Sequence, residues 1–89
     1  MVELKKNELL LRVFFGSNSS PDIIIMHIEA YQRKLEESLR VFENLEKWLL
    51  NMDRSDVNYK YWMIANQYGK SHFSSLIQWC QDSVKVLQS

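Results

Sequence analysis

Residues 20–52 read SPDIIIMHIEAYQRKLEESLRVFENLEKWLLNM, and this segment contains the clearest structural signals of the chain. Ser20 is a good N-cap residue, Pro21 suits the first helical position, and Asp22 places a negative charge in the first turn, where the helix dipole favours it. After Pro21 the stretch contains neither glycine nor a second proline. It therefore predicts one long helix over residues 21–52.

Apolar residues recur along this helix in alternating steps of four and three, which is the spacing of a heptad stripe. The stripe consists of Ile24, Ile28, Tyr31, Leu35, Ser38, Phe42, Leu45, Leu49 and Met52, with Ser38 as its polar interruption. Flanking apolar residues make the stripe wider than a two-stranded coiled coil requires, so we expect the helix to contact more than one neighbour. The opposite face carries charges of both signs and is expected to face water.

Two further helices are predicted, a short one over residues 3–15 and a long one over residues 57–87. Gly16 follows the short helix, where a glycine commonly ends a helix in a left-handed conformation. A polar connector precedes the last helix, and we expect Ser55 or Asp56 to cap it. We expect residues 1–89 to form a single domain.

The last helix has two informative features. Between Ser71 and Val84 the only charged residue is Asp82, so this segment is poorly suited to exposure. Gly69 lies within the helix, where glycine costs roughly 1 kcal/mol relative to alanine. We interpret Gly69 as a point of close approach by another helix, and we expect Gly69→Leu to weaken a dimer more than Lys70→Leu.

The predicted fold class is all-α: three helices, one short and two long, in which the long helices form an antiparallel hairpin. The chain has only two glycines and one proline, which favours a few long elements over many short strands. A helix of about 32 residues would be ~48 Å long, whereas a compact chain of this length has a radius of gyration near ~12 Å. We therefore expect an elongated hairpin with uncovered apolar surface, which a second copy would cover in a coiled-coil-like bundle burying well over ~2,000 Å².

Composition argues against several classes of function. Lys and Arg together number 11, as do Asp and Glu, so the formal net charge is zero and gives no electrostatic attraction to nucleic acid or to an anionic membrane. Arg12 interrupts the apolar stretch near the N-terminus, which argues against a signal peptide, and no run approaches the ~20 apolar residues that span a bilayer. The single cysteine, Cys80, excludes an internal disulfide and favours a cytoplasmic location.

No pattern typical of catalysis or metal binding is present. His72 and Cys80 are eight residues apart and His27 is the only other histidine, which is too few ligands for a metal site. Cys80 lies on a second stripe, on the last helix, which consists of Trp62, Ala65, Gly69, Phe73, Leu76, Cys80, Ser83 and Leu87. It is better interpreted as a small buried residue than as a nucleophile. We expect no enzymatic activity, no metal and no cofactor.

Several motifs resemble one known domain. The stretch ELLLRVFFG, residues 8–16, followed by Ser20-Pro21, looks like the start of the C-terminal domain of PadR-like transcriptional regulators, a domain also found in their virulence-activator relatives. Tyr68-Gly69, with Trp79 ten residues beyond the glycine, is similar to the last helix of that domain. The resemblance extends over residues 6–87.

This resemblance implies that the chain pairs with a second copy of itself. In such regulators an N-terminal winged-helix domain binds operator DNA, and some members bind aromatic effectors near the helical domain. The chain departs from the full-length pattern because it lacks the winged helix, so we expect either an excised domain or a naturally short protein. A free-standing helical module that pairs with another regulator or partner protein remains the alternative.

The predicted dimer interface consists of apolar positions on all three helices. These are Phe14, Phe15, Ile28, Leu35, Phe42, Leu49, Gly69, Phe73, Leu76, Trp79, Cys80 and Leu87. The tryptophans Trp48, Trp62 and Trp79 are expected to fill the space between helices, since aromatic side chains supply large buried areas. The alternative interpretation is that these three tryptophans contact a small aromatic effector.

Overall fold

Three α-helices follow one another in the computed structural model, which describes residues 4–89. They are α1 (Lys6–Phe14), α2 (Pro21–Leu50) and α3 (Tyr59–Gln88), with a short 3-10 helix over Gly16–Asn18 between the first two. No strand occurs within residues 4–89. The prediction of an all-α fold with one short and two long helices is confirmed.

The start of α2 agrees with its predicted capping signals, and its end falls slightly earlier than predicted. The Ser20 side chain accepts a hydrogen bond from the Asp22 amide at 3.3 Å. The helix ends at Leu50, two residues before the predicted end. Asn51 donates from its side-chain amide to the Lys47 carbonyl at 3.0 Å and so satisfies one of the carbonyls left without a partner at the helix end.

The prediction that Ser55 or Asp56 caps α3 is wrong. The N-cap is Asn58, whose side chain makes no capping hydrogen bond. Asp56 instead accepts a hydrogen bond from the Asn58 amide at 2.8 Å, and Asp53 accepts one from the Ser55 amide at 2.9 Å. Each aspartate closes a turn over the residue two positions ahead, which delays the helix to Tyr59.

The first helix is shorter than predicted. Its predicted start at residue 3 lies outside the described residues, while Lys5 is extended and α1 begins at Lys6. The predicted left-handed Gly16 is wrong, because no described glycine has a positive φ. The amides of Asn18 and Ser19 bond to the carbonyls of Phe15 and Gly16, so the chain tightens into a 3-10 turn that needs no left-handed residue.

The two long helices form an elongated antiparallel hairpin, as predicted. Trp48 near the end of α2 stacks on Trp62 near the start of α3, while Phe42 lies beside Phe73. The radius of gyration is 17.0 Å and the described residues measure 57 × 24 × 18 Å. A compact chain of this length would have a radius near ~12 Å, so residues 4–89 leave much of their apolar surface uncovered.

The short helix α1 covers only one end of this hairpin. Leu9 of α1 joins a buried cluster with four residues of the long helices; the cluster consists of Leu9, Ile24, Ile28, Leu35 and Cys80. We call residues 24–35 of α2 and 73–87 of α3, on which α1 lies, the covered half. We call residues 42–50 of α2 and 59–69 of α3 the open half.

Candidate association surface

The predicted interface residues fall into two groups in the structure. Five of them are buried within the single chain, and these are Ile28, Leu35, Leu49, Gly69 and Cys80. Their surfaces are therefore already used by contacts inside the hairpin and are not presented to a second copy in this conformation. Their packing role is intramolecular.

The remaining predicted residues keep surface that another molecule could contact. Phe14 and Phe15 are exposed, and five others are half-buried, namely Phe42, Phe73, Leu76, Trp79 and Leu87. The rings of Phe42 and Phe73 lie 5.7 Å apart between α2 and α3. The exposed and half-buried members, and not the five buried ones, can form an association surface.

Gly69 marks a close approach, and the approaching group belongs to the same chain. A Cβ atom at this position would lie only 2.6 Å from Cδ1 and Cζ of Phe42, closer than real Cβ atoms come to any neighbour. Glycine is therefore required so that the Phe42 ring can lie across α3. The predicted close approach is confirmed within the hairpin, while an effect of Gly69 on dimerisation stays a prediction.

The covered half contains a small apolar cavity beside α1. The cavity has a volume of about 180 Å³ and is lined by Lys6, Leu9, Leu10, Tyr31, Leu76 and Trp79. Burial raises the pKa of the Cys80 thiol to about 11, so this thiol is protonated at neutral pH. Burial, followed by the neighbouring Cys80, also raises the pKa of the Tyr31 hydroxyl. A protonated, buried thiol agrees with the interpretation of Cys80 as a core residue.

The open half contains a larger apolar groove between α2 and α3. Its volume is about 410 Å³, and its lining consists of Phe42, Leu45, Trp48, Leu49, Trp62, Ala65 and Asn66. The rings of Trp48 and Trp62 lie 6.1 Å apart with an interplanar angle of 28°. Their side chains remain 57% and 43% exposed, so the expectation that these two tryptophans fill the interhelical space is not met within the chain.

Trp79 lies apart from the other two tryptophans. It is half-buried against the core cluster and lines the cavity of the covered half, whereas Trp48 and Trp62 line the groove of the open half. The three tryptophans therefore do not form one site within the chain.

Asn66 was not identified from the sequence, yet it is the most buried polar side chain of the groove. It is 1% exposed and donates from Nδ2 to the Phe42 carbonyl at 2.9 Å. Its Oδ1 accepts no hydrogen bond within residues 4–89. The available signal was its position on α3, four residues after Trp62 and three before Gly69, which places it on the side facing α2.

The groove and α1 lie on the same side of the hairpin. Tyr31, which α1 contacts through the small cavity, is fourteen residues before Leu45 of the groove, or nearly four helical turns. Trp79 and Ala65 of α3 are separated by the same fourteen residues. One continuous face of the hairpin is therefore covered by α1 at one end and open at the other.

The outer face of α1 is also apolar and exposed. Leu11 is two residues from Leu9, about 200° around the helix, so it points away from the buried cluster. Leu11 is 61% exposed, while Phe14 and Phe15 are 80% and 59% exposed. These three residues, which we call the α1 outer face, form an apolar surface that no other described element covers.

A polar network joins the helices on a different side of the open half. The Lys70 ammonium lies 2.8 Å from Oε1 of Glu46, and the Gln67 amide donates to Oε2 of Glu46 at 2.6 Å. Hydrogen bonds from Lys70 and then from Gln67 lower the pKa of the Glu46 carboxyl. This network holds α2 against α3 without occupying the groove.

The described part of the chain contains neither a cluster of metal ligands nor a membrane-spanning helix. Among residues 4–89, no three His, Cys, Asp or Glu side chains are placed so that they could hold a metal ion. None of the described helices is long and apolar enough to cross a membrane.

Comparison with known proteins identifies the family. Searches of curated proteins and of solved structures gave no significant match. The sequence model of one family, described as "Virulence activator alpha C-term", matches residues 5–88 and so includes all three helices. The chain therefore belongs to the family of virulence activator alpha C-terminal domains.

Proposed function

We propose that this chain is the homodimerisation domain of a PadR-like transcriptional regulator. The observation that carries the proposal is the uncovered apolar face of the hairpin, where Trp48 and Trp62 line an open groove. Membership of the virulence activator family supports a role in regulation. The role is one of association and not of catalysis.

The extent of exposed apolar surface supports association. Large hydrophobic residues are exposed on every helix, and they include Leu11, Phe14, Phe15, Val41, Leu45, Trp48, Tyr61, Trp62, Ile64 and Tyr68. Large apolar patches on soluble proteins usually mark interaction sites. The formal net charge of zero means that two copies do not repel each other through their overall charge.

Operator DNA, in this proposal, is bound by a winged-helix domain that is distinct from the helices described here. The balanced charge gives the helical chain no general affinity for phosphate groups. Pairing of two helical domains would then set the distance between two DNA-binding domains. A regulator acting on DNA in this way works in the cytoplasm.

Sedimentation equilibrium tests the proposal directly. At low micromolar concentration we expect a particle of twice the 10.7 kDa chain mass. Far-ultraviolet circular dichroism on the same sample verifies that the helices are formed. A stable, fully helical monomer under these conditions would contradict the proposal.

A free-standing module that pairs with another regulator would use the same apolar face. Such a module predicts that the chain forms a mixed dimer more tightly than it pairs with itself. The coding sequence upstream of Val2 separates the two ideas, since a reading frame that continues through a winged helix favours the regulator domain.

Effector sensing is a second candidate function, favoured by the unpartnered Oδ1 of Asn66 beside the Trp48–Trp62 pair. A flat aromatic molecule carrying a hydrogen-bond donor would suit this groove. Titration with hydroxylated aromatic acids, whose phenolic O–H can donate to Asn66, should lower tryptophan fluorescence by the same absolute amount in the wild type and in Trp79→Phe, since Trp79 lies outside the groove. No quenching in either protein would contradict this candidate.

A further inference from the structure

We propose that the open half of each hairpin is filled by the α1 outer face of a second copy, in a reciprocal two-fold arrangement. This inference rests on the proposed homodimerisation and specifies its geometry. Each copy would place Leu11, Phe14 and Phe15 in the groove lined by Trp48 and Trp62 of the other copy. The dimer would then contain two equivalent contacts between α1 and the groove.

The groove lies on the same face of the hairpin as α1, at the end of that face which α1 does not cover. At one end of the same hairpin face, α1 buries Leu9 against Ile24 and Ile28. At the other end the groove presents similar apolar side chains and no helix within residues 4–89 covers it. A short amphipathic helix is therefore the kind of occupant that this face accepts.

The length of α1 is similar to the length of the groove. The nine residues of α1 are about 13 Å long at 1.5 Å per residue. The groove residues on α2 extend from Phe42 to Leu49, which is about 10 Å by the same measure. One copy of α1 is sufficient to cover the groove.

Two-fold symmetry brings the two surfaces together. The axis would lie parallel to the hairpin face and perpendicular to the long helices, at the level of Ser38 and His72. Ser38 is midway between Tyr31 and Leu45 in the sequence, and His72 is midway between Ala65 and Trp79. Rotation about this axis moves α1 from its own covered half onto the open half of the second copy. Both grooves are then closed at once, as an isologous dimer requires.

The direction in which α1 runs along the hairpin also fits this arrangement. Ile24 side-chain atoms lie within 3.8 Å of the Cβ position at Gly16, while Lys6 and Leu10 lie near Tyr31. The C-terminal end of α1 therefore lies toward the outer end of the hairpin. After the two-fold rotation, Leu11 and Phe15 of the second copy would lie over Trp48 and Trp62.

The area is sufficient for a stable dimer. The exposed parts of the α1 outer face and of the groove residues amount to roughly 800 Å² per copy, since each large aromatic side chain can bury 150–250 Å². The total of about 1,600 Å² is that of a standard specific interface. The groove has room either for α1 of a second copy or for a small aromatic ligand. We favour α1, because the chain itself carries the matching apolar surface.

Two charge substitutions and their mixture test the arrangement. Phe14→Lys alters only the α1 outer face, and Trp48→Glu alters only the groove; both residues are exposed, so both variants should retain their helices by circular dichroism. We expect each variant alone to dimerise at least tenfold more weakly than the wild type in sedimentation equilibrium. Leu50→Glu is the matched control, because Leu50 is exposed two residues from Trp48 on the opposite face of α2 and should leave the dimer unchanged.

The mixture of Phe14→Lys and Trp48→Glu is the decisive sample. A mixed dimer has one contact between an unaltered α1 and an unaltered groove, and its other contact places the introduced lysine of one variant against the introduced glutamate of the other, so their opposite charges attract. It should therefore form severalfold more tightly than either variant with itself. If the wild type is a dimer but the mixture gains nothing, or if Leu50→Glu disrupts the dimer as strongly, the α1-in-groove arrangement is wrong while homodimerisation stands. If the wild type is a stable helical monomer at low micromolar concentration, both the arrangement and the proposed function are overturned.

Discussion

The two halves of the hairpin have similar side chains and different burial. In the covered half, Ile28 and Cys80 are fully buried in one cluster with Leu9 of α1. In the open half, Leu49 is fully buried but the nearby Trp48 and Trp62 are largely exposed. The difference shows that two helices alone cannot bury a wide apolar stripe, and that the third helix decides which part of the stripe becomes core.

The largest expected effect comes from removing the contact that distinguishes the covered half. Leu9→Ala should lower the free energy of unfolding by roughly 3 kcal/mol, since the lost side chain leaves a cavity in the buried cluster. Leu10→Ala is the matched control: Leu10 is 45% exposed, so its loss should cost less than about 1 kcal/mol. Urea unfolding followed by circular dichroism measures both, and equal costs would mean that α1 does not complete the core.

The next largest effect is on the reactivity of the Cys80 thiol, which shows whether the covered half excludes solvent. Because the folded-state pKa is raised to about 11, alkylation of the native thiol at pH 8 should be at least ~10-fold slower than in urea. The Leu9→Ala variant should react faster than the wild type under native conditions. Native and unfolded chains reacting at the same rate would show that the covered half is open to solvent.

The raised pKa of the Cys80 thiol also predicts that the folded state loses stability at alkaline pH. The pKa values of Cys80 and Tyr31 are raised in the folded state, so the unfolded state releases these protons at a lower pH. The contribution of Cys80 to stability is fully present below pH 9, the ordinary value for the thiol, and falls progressively toward about pH 11. Urea midpoints measured in this range should decrease, and Cys80→Ala should reduce that dependence.

A smaller effect compares the two glycines, Gly16 after α1 and Gly69 within α3. Gly69→Ala should cost about 1 kcal/mol, because the clash with the Phe42 ring outweighs the helix propensity gained. Gly16→Ala should be neutral or slightly stabilising, since its Cβ would lie 3.7 Å from Ile24, an ordinary contact. Thermal unfolding of both variants measures the difference, and a stabilising Gly69→Ala would show that the Phe42 ring moves aside freely.

The smallest effect concerns the ion pair beside the open half. Lys70→Gln removes the partner of Glu46 and should lower Tm by about 3 °C or less, as for other solvent-accessible ion pairs. The lowered pKa of Glu46 gives the pair a stabilising contribution that is present above the ordinary carboxyl value and is lost as the pH falls through the folded-state value. The difference in Tm between wild type and variant should therefore shrink in acid. An equal difference at pH 3 and pH 7 would show that the charge of Glu46 is not responsible.

Local sequence signals were sufficient to predict the helices and the apolar faces by which they pack. The capping residues Ser20 and Pro21 and the long heptad stripe predicted α2 to within two residues, because local hydrogen bonding and apolar spacing act within a single helix. The same reasoning identified Gly69 as a point of close approach. Local signals failed where two hydrogen-bonding choices compete, as at Gly16 and at the aspartates before α3.

Which apolar residues become buried depends instead on how the three helices pack together. Leu9 and Leu11 are the same residue type two positions apart, yet α1 buries the first and exposes the second. Trp48 and Trp79 are both aromatic residues of long helices, but only Trp79 lies where α1 reaches the hairpin face. Asn66 could not be identified as a buried residue from its polarity, since its burial depends on the Phe42 carbonyl from another helix. Burial is a property of contacts between elements, and spacing along one helix cannot specify where a short third helix ends.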